Sequence, residues 1–358
     1  MKKLRVGIVG VGGIANGKHM PALAKIPEVE MVAFCDLVKE RAEKGAQKFG
    51  TPDAFVCTDY RELVERDDID IVHVCATNDA HSFVTVAALE AGKHVMCEKP
   101  MAKTAAEARQ MVAAAKKSGK KLTIGYQNRY RADSFHLKAL CDAGVLGEIY
   151  FAKALAIRRR AVPTWGSFLD EERQGGGPLI DIGTHALDLT LFMMNNYEPV
   201  MAVGTTYHKL SKRKNAANAW GPWDPAKFTV EDSAFGFVTF KNGATVILES
   251  SWALNTLQIG EAMTVLCGTE AGADTLDGLR INGEENSRLY TKTVELKSGG
   301  VAYYEGISQN PGDIEARMWI DAIKNDTEVY VKPEQALVVT EILEGIYKSA
   351  ESGKPYYF

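Results

Sequence analysis

"GIVGVGGIANGKHM", residues 7–20, decides how the first third of the chain is read. It grows out of a short apolar run, "LRVGIVG" (4–10), and opens a segment of helical character over 13–25. Gly10-x-Gly12-x-x-Ala15 is the spacing of a dinucleotide-binding turn. The first small residue permits the tight turn, the second lets backbone approach a pyrophosphate, and the third lets helix and strand pack closely. A helix that starts there turns free N–H groups towards the phosphates. Asp36 closes the next strand, "EMVAFCD" (30–36). A carboxylate at that place accepts hydrogen bonds from a ribose and repels a 2′-phosphate, which favours NAD over NADP. Gly10, Gly12, Gly13, Ile14 and Asp36 are the candidate cofactor contacts of this region.

Further strands are expected at 70–76, 93–98 and 121–126, with helices at 38–49, 81–91 and 104–118 between them. Short Val- and Ile-rich runs alternating with helices specify an α/β fold, a doubly wound parallel sheet of Rossmann type, over residues 1–125. A helix over 131–146 follows, and after about residue 148 the pattern changes. "EIYFAKALAIRRR" reads as a longer strand, and "QGGGP" (174–178) introduces a helix over 179–195. Strands are expected at 199–208, 232–241, 244–254, 262–267 and 287–297, with a hairpin at Asn242-Gly243. Helices at 313–325 and 333–352 close the chain. Residues 126–358 thus read as an α+β domain with a large, mostly antiparallel, open sheet. The C-terminal helices are free to return to the first domain. A sheet covered on one side only suits assembly with a second copy, to which the tail "YYF" (356–358) would add.

The 358 residues are 46% hydrophobic and 25% charged, as in ordinary globular domains. A net charge of −4 gives no general attraction to nucleic acid or to an anionic membrane. No apolar run reaches the roughly 20 residues of a membrane-spanning helix. The N-terminal run is short and glycine-broken and reads as a first strand, not a secretory signal. The cysteines, 35, 57, 75, 97, 141 and 267, show no C-x-x-C pair and no zinc spacing. Reduced, buried thiols and a cytoplasmic location are expected, with no metal.

Two stretches carry unusual chemistry. "CEKP" (97–100) puts Glu98, Lys99 and Pro100 at the carboxyl end of a predicted strand, where ligands of doubly wound sheets bind. An ammonium there can hold a hydroxyl and polarise a carbonyl oxygen. Pro100 suits a cis turn. In "GGGPLIDIGTHALDLTLFM", Asp181, His185 and Asp188 fall at i, i+4 and i+7, on one face of a helix whose other side is apolar. An imidazole one turn from a carboxylate is a candidate general base.

With these motifs in place the chain resembles the Gfo/Idh/MocA family of nicotinamide-dependent sugar and polyol oxidoreductases. The resemblance runs through "GIVGVGGIA", "CATNDAH" (75–81), "AGKHVMCEKPMA" (91–102) and "GGGPLIDIGTHALDL" (175–189). It implies a catalytic set of Lys99, Asp181 and His185. It adds Thr77 (in place of the usual proline), Asn78, His81, Glu98 and Lys99 to the cofactor contacts. "YQNRY" (126–130) matches the segment lining the substrate site, with Asn128 as a contact and Arg129 as a candidate or a structural residue. "RRRAVPTWGSF" (158–168) resembles the substrate loop of members acting on sugar rings. Arg159 and Trp165 are the sugar contacts expected there, beside Lys99, Asn128, Asp181 and His185. The implied activity is an NAD-dependent dehydrogenase oxidising a secondary ring hydroxyl of a sugar or glycoside, with a glucoside oxidised at C3 favoured. An inositol dehydrogenase is the nearest alternative. A redox-neutral NAD-dependent glycosidase and a non-catalytic NAD/sugar sensor are alternatives of other classes. A homo-oligomer, dimer or tetramer, through the C-terminal sheet is implied as well.

Overall fold

The computed structural model describes residues 3–296 and 310–358. In chain order the first elements are β1 (Leu4–Val9), a π-helical turn (Ala15–His19) continuing as α1 (Met20–Leu23), β2 (Val29–Cys35), α2 (Lys39–Phe49), β3 (Gly50–Cys57), α3 (Tyr60–Val64), β4 (Ile71–Val74), α4 (Asn78–Glu90), β5 (His94–Cys97), α5 (Ala105–Ser118) and β6 (Leu122–Ile124). After a 3₁₀ turn (Gln127–Tyr130) come α6 (Ala132–Asp142), β7 (Ile149–Ile157), α7 (Glu171–Gln174), a second π-helical turn (Leu179–Gly183) and α8 (Thr184–Met194). Strands β8 (Pro199–Tyr207), β9 (Ser233–Phe240), β10 (Thr245–Ser251), β11 (Gly260–Gly268), β12 (Ala271–Asp274), β13 (Arg280–Glu285) and β14 (Arg288–Thr293) follow. The last elements are α9 (Pro311–Lys324), α10 (Pro333–Ser352) and β15 (Tyr356–Tyr357).

The described residues form two compact units, 3–127 with 310–337, and 128–296 with 338–358. α9 and the start of α10 belong with the N-terminal elements. Ala316, Trp319 and Ile320 of α9 join Ile8, Met20, Leu23 and Phe34 in one buried core. The sheet of the first unit is wholly parallel, in the order β3-β2-β1-β4-β5-β6. Its order reverses between β1 and β4, the switch point at which such sheets bind ligands. The predicted apolar runs occupy the buried strands. The sequence reading omitted β3, and its place explains why. As an edge strand carrying Pro52 and Asp53 it needs no continuous apolar run. Local chemistry sets the helix ends. In α5 the Thr104 hydroxyl accepts from the Glu107 N–H at 3.2 Å, Glu107 accepts from the Thr104 N–H at 3.1 Å, and Gly119 closes the helix at φ +67°.

The second unit is built on a nine-stranded sheet, β14-β13-β12-β11-β7-β10-β9-β8-β15, antiparallel except between β7 and β10. The predicted strand 287–297 forms over Arg288–Thr293, and its last position lies outside the described residues. Short β12 and β13 were not read from the sequence. The tail forms β15 on the edge of its own sheet, Tyr356 opposite Ala202. One face of the sheet is covered: a Cβ on Gly204 or Gly236 would come within 2.5 or 2.4 Å of Ile346 on α10. Alternate residues Val203 and Phe237, paired across β8 and β9, point outwards and are 38% and 42% exposed.

Helix α8 departs from the amphipathic reading. Thr184 to Met193 are all buried, so no face is left to solvent. Asp188 is taken by Arg129, whose Nε and Nη2 reach its two oxygens at 2.9 and 2.6 Å, with both side chains essentially without exposure. Burial works against the guanidinium's charge, and Asp188 more than offsets it, raising its pKa. Asp188 is thus withdrawn from the candidate face, and Arg129 is structural. Arg129→Leu alone leaves a carboxylate buried without its partner, and we expect it to cost about 3–5 kcal/mol. Arg129→Leu with Asp188→Leu should recover much of that loss. Urea denaturation of the three proteins checks this; equal destabilisation by the single and double changes would contradict it.

Candidate functional site

In the first unit the glycine loop has the properties its spacing predicts. Gly10 adopts φ +88°, and a Cβ there would stand 2.6 Å from the Ala76 nitrogen and the Cys75 carbonyl. Gly12 and Gly13 face open space, so a side chain at either would intrude on the cradle above the helix start. Ile14 is exposed at its rim, and Ala15 is fully buried. Asp36 braces the loop. Its two oxygens accept the Val11 and Val38 N–H groups at 2.8 and 2.9 Å. A carboxylate accepts up to about four hydrogen bonds, so capacity remains for ribose hydroxyls. The cradle and Asp36 fit a dinucleotide.

Thr77 is exposed, in the N-cap position of α4, with Asn78 half-buried after it. His81 is buried, with Nδ1 2.7 Å from the Pro100 carbonyl and Nε2 3.1 Å from that of Ala76. Burial lowers its pKa, although the two carbonyls pull the other way. The ring braces the turn after β4 against the E-K-P turn. Lys99 is half-buried at the carboxyl end of β5, and its bond to Pro100 is cis.

Glu98 lies beneath this turn. One oxygen meets Lys18 Nζ at 2.5 Å and His19 Nε2 at 2.7 Å, and the other accepts the Lys99 N–H at 3.0 Å. Lys18 also meets Glu315 of α9 at 2.9 Å, and His19 Nδ1 meets His73 Nδ1 at 3.1 Å. Burial opposes the charge of Glu98, but Lys18 and His19 hold its carboxyl well below the usual range. Burial raises Glu315, which shares the same ammonium. Gly125 leaves the room: a Cβ there would stand 3.0 Å from the Glu98 carboxylate.

In the second unit, "QGGGP" lets a carboxyl reach the backbone at the start of the next turn. Glu231 accepts the Gly177 N–H at 2.8 Å, the Leu179 N–H at 3.1 Å and the Tyr347 hydroxyl at 2.9 Å. A Cβ on Gly176 would lie 2.1 Å from that hydroxyl, and one on Gly177 2.3 Å from the Glu231 carbonyl. Burial pushes Glu231 up to about 7, against the pull of the two N–H groups and Tyr347. The π-helical turn so anchored carries Asp181, and α8 begins with Thr184 and His185. Ser250 fixes the turn to β10 by donating to the Pro178 carbonyl at 2.7 Å. Asp181 and His185 are both buried, and the indole N–H of Trp252 donates to Asp181 Oδ2 at 3.1 Å.

From Trp252 an aromatic run leads outwards, with ring centroids 6.3 Å apart to Phe168, 5.9 Å on to Trp165 and 4.9 Å on to Trp220. Trp165 is thus connected to Asp181 through Phe168 and Trp252, and Arg159 is exposed on the loop before it. Asn128 is half-buried at the 3₁₀ turn, where its carbonyl accepts from Ser134 at 2.7 Å. Sequence reading missed Trp252, Glu231, Tyr347 and Trp220 here, and Lys18, His19, His73 and Glu315 in the first unit. The triple glycine was the available signal for Glu231, since it marks a close approach without naming what approaches. Among the described residues no group of three His, Cys, Asp or Glu is placed to hold a metal ion.

Residues 4–126 match the family model described as "Oxidoreductase family, NAD-binding Rossmann fold", and residues 135–274 match the "GFO/IDH/MocA C-terminal domain". The chain is 36% identical over 351 residues to D-glucoside 3-dehydrogenase of Escherichia coli (strain K12), covering 98% of this chain and 96% of that protein. It is 40% identical over 147 residues to inositol 2-dehydrogenase of Salmonella typhimurium, covering 40% of this chain and 43% of that one. Among solved structures, an oxidoreductase domain protein from Kribbella flavida superposes with a TM-score of 0.85 at 24% identity, covering 100% of this chain and 99% of that one. Levoglucosan dehydrogenase in complex with NADH and L-sorbose gives 0.84 at 21%, again over 100% and 99%; both show the fold. The protein belongs to the GFO/IDH/MocA oxidoreductases, with an NAD-binding Rossmann domain.

The raised pKa of Glu231 makes a signed prediction. The folded chain holds this proton more tightly than the unfolded one, so the stabilisation is complete at low pH. It is lost as pH rises from the ordinary carboxyl range through about 7. The loss amounts to roughly 3 kcal/mol. Glu231→Gln cannot ionise there. The lead of the wild type in melting temperature over Glu231→Gln should be larger at pH 5 than at pH 8. A lead independent of pH would show that Glu231 does not titrate in this window.

Proposed function

We propose that the protein is an NAD-dependent dehydrogenase that oxidises a secondary ring hydroxyl of a glucoside, at C3. The observation that carries this is the buried Asp181, fixed by Trp252 and followed one turn on by His185, in a chain similar over nearly its whole length to a D-glucoside 3-dehydrogenase. His185 takes the proton of the ring alcohol. Asp181, its free rotation removed by the indole N–H, orients the reacting hydroxyl and supports the imidazolium. Lys99 holds the reacting oxygen with its ammonium and stabilises negative charge as it develops. Glu98, bonded to the Lys99 N–H, fixes the backbone from which that side chain extends. NAD, when bound, supplies the acceptor for the carbinol hydride. That Lys99, Asp181 and His185 serve one hydroxyl rests on the family's E-K-P and D-x-G-x-H motifs. An inositol is the second reading, favoured by the 40% identity to inositol 2-dehydrogenase. Among the described residues no helix is long and apolar enough to cross a membrane. Six free cysteines, four of them buried, support a reducing, cytoplasmic setting.

Absorbance at 340 nm with NAD⁺ and a panel of methyl glucosides, free hexoses and inositols tests the reading. We expect a rise with glucosides, and a loss of about 10²–10⁴-fold in kcat for both Lys99→Ala and His185→Ala, the range of a positioned acid or base. Turnover of inositols alone would transfer the assignment to the second reading. Release of the phenol from an aryl glucoside without net NADH would make the protein a redox-neutral glycosidase. Binding of NAD and sugar with neither reaction would make it a sensor.

We also propose that the open face of the nine-stranded sheet pairs with a second copy of the chain. Val203, Phe237 and Ile247 form a row across β8, β9 and β10 and continue to Lys153 on β7, with Glu249 on the same face two residues along β10. A cation and a carboxylate on one apolar face suit a two-fold partner, which pairs each with the other. Phe237→Glu should convert the assembly to monomer in light scattering. An unchanged mass would exclude this face.

A further inference from the structure

The runs Arg158-Arg159-Arg160 and Lys212-Arg213-Lys214 take no part in the proton and hydride transfer above, yet the fold sews them together. Asp232 accepts the Leu210 and Ser211 N–H groups at 2.6 and 2.8 Å, and its carbonyl accepts the Trp252 N–H at 3.0 Å. Arg160 pairs with Ala253 in an antiparallel bridge, the Arg159 carbonyl accepts the Leu254 N–H at 3.0 Å, and the Trp252 carbonyl accepts the Ala161 N–H at 3.0 Å. The Arg160 carbonyl accepts the Ala219 N–H at 3.1 Å, and Thr164 donates to the Trp220 carbonyl at 2.8 Å. Both cationic runs therefore hang on the segment whose Trp252 indole holds Asp181.

The arginines differ in what they meet. Arg158 forms a two-point ion pair with Glu261, both distances 2.6 Å, and lies over the Trp220 ring. Arg160 donates to Asn255 at 2.6 Å. For the side chains of Arg159 and Arg213, both exposed, the described residues provide no hydrogen bond and no carboxylate. Partial burial lowers Arg160, the charges of Arg213 and Arg159 lower it further, and Asp232 pulls the other way, so the charges of both neighbouring arginines reach Arg160. Beside them Trp165 and Trp220, 51% and 44% exposed, meet edge to face. Gathering Arg159, Arg160 and Arg213 around the one carboxylate of Asp232, which is already engaged by the Leu210 and Ser211 N–H groups, leaves an excess of positive charge that an anion would offset. Guanidinium forks match phosphate and carboxylate oxygens, and exposed indoles grip the flat parts of a ligand.

We propose that Arg159, Arg160 and Arg213, with Trp165 and Trp220, form an anion subsite, and that the preferred substrate is a glucoside whose aglycone carries a negatively charged group. The inference rests on the glucoside reading and deepens it: the sugar ring lies towards Asp181 and the charge is taken by the arginines. The subsite draws its ligand by charge, so its contribution weakens with salt.

The test compares methyl, phenyl and 4-carboxyphenyl β-D-glucosides and α-D-glucose 1-phosphate, with NAD⁺, at low and high salt. We expect kcat/KM for at least one charged substrate to exceed that of its neutral counterpart by about tenfold, with the excess shrinking as salt rises. The carboxylate and phosphate arms show which anion the subsite takes. Arg213→Gln should lower the charged-to-neutral ratio of kcat/KM about tenfold, through KM. Equal kcat/KM for charged and neutral glucosides, or a ratio unmoved by Arg213→Gln, overturns the subsite while NADH formation keeps the dehydrogenase reading intact. Should no substrate turn over, calorimetric titration of the NAD-loaded protein with the same compounds decides separately. Tighter binding of the charged ones, lost in Arg213→Gln, supports the subsite, and equal binding overturns it.

Discussion

A buried carboxylate that accepts backbone N–H groups, next to a residue of the candidate site, is the interaction on which both units depend. In the first it is Glu98, which takes the Lys99 N–H and is kept ionised by Lys18 and His19. In the second it is Glu231, which takes the N–H groups of Gly177 and Leu179 ahead of Asp181. A charge in the interior is costly unless it is paired and its lone pairs are filled. The two carboxyls solve this differently. Glu98 has an ammonium at contact distance and stays charged. Glu231 has only dipoles and a phenol, and its pKa climbs to about 7. Both orient backbone, and it is backbone that aims Lys99 and starts the turn of Asp181. Near-by glycines are a consequence: Gly125 makes room for Glu98, and Gly176 and Gly177 for Tyr347 and Glu231.

That dependence separates what the sequence disclosed from what it hid. The parallel sheet was legible because strands buried on both faces are continuous apolar runs, and Gly10 and Asp36 stand at fixed distances within one βαβ unit. β3 was illegible because an edge strand is free to carry Pro52 and Asp53. Lys99, Asp181 and His185 were legible as motifs, each within a few residues of a strand end or a glycine turn. Their supports were not. Glu231 lies 52 positions from Leu179, and Tyr347 lies 116 from Glu231. No periodicity within one segment reports contacts of that separation. Asp188 shows the opposite error. Helical spacing placed it with His185, but spacing cannot tell a helix with one apolar face from one that is buried on every side, and Arg129 claimed it. Lys18 and His19 were read only as the run of a helix; α9, nearly 300 residues on, brings Glu315 to Lys18.

Trp252 joins these threads. Its backbone lies against both Asp232 and Ala161, so that one residue orders the loops carrying the arginines. Its indole N–H can serve only as a donor, so the oxygen it meets on Asp181 must act as an acceptor. The ring itself is fully buried between Phe168 and Phe228, which prevents the indole from turning away. The aromatic run is therefore more than a wall. It links an exposed loop, at Trp165, to the carboxylate at its far end through packed rings. In the proposed reading, recognition of the distant part of a substrate and orientation of its reacting hydroxyl share this one structural element.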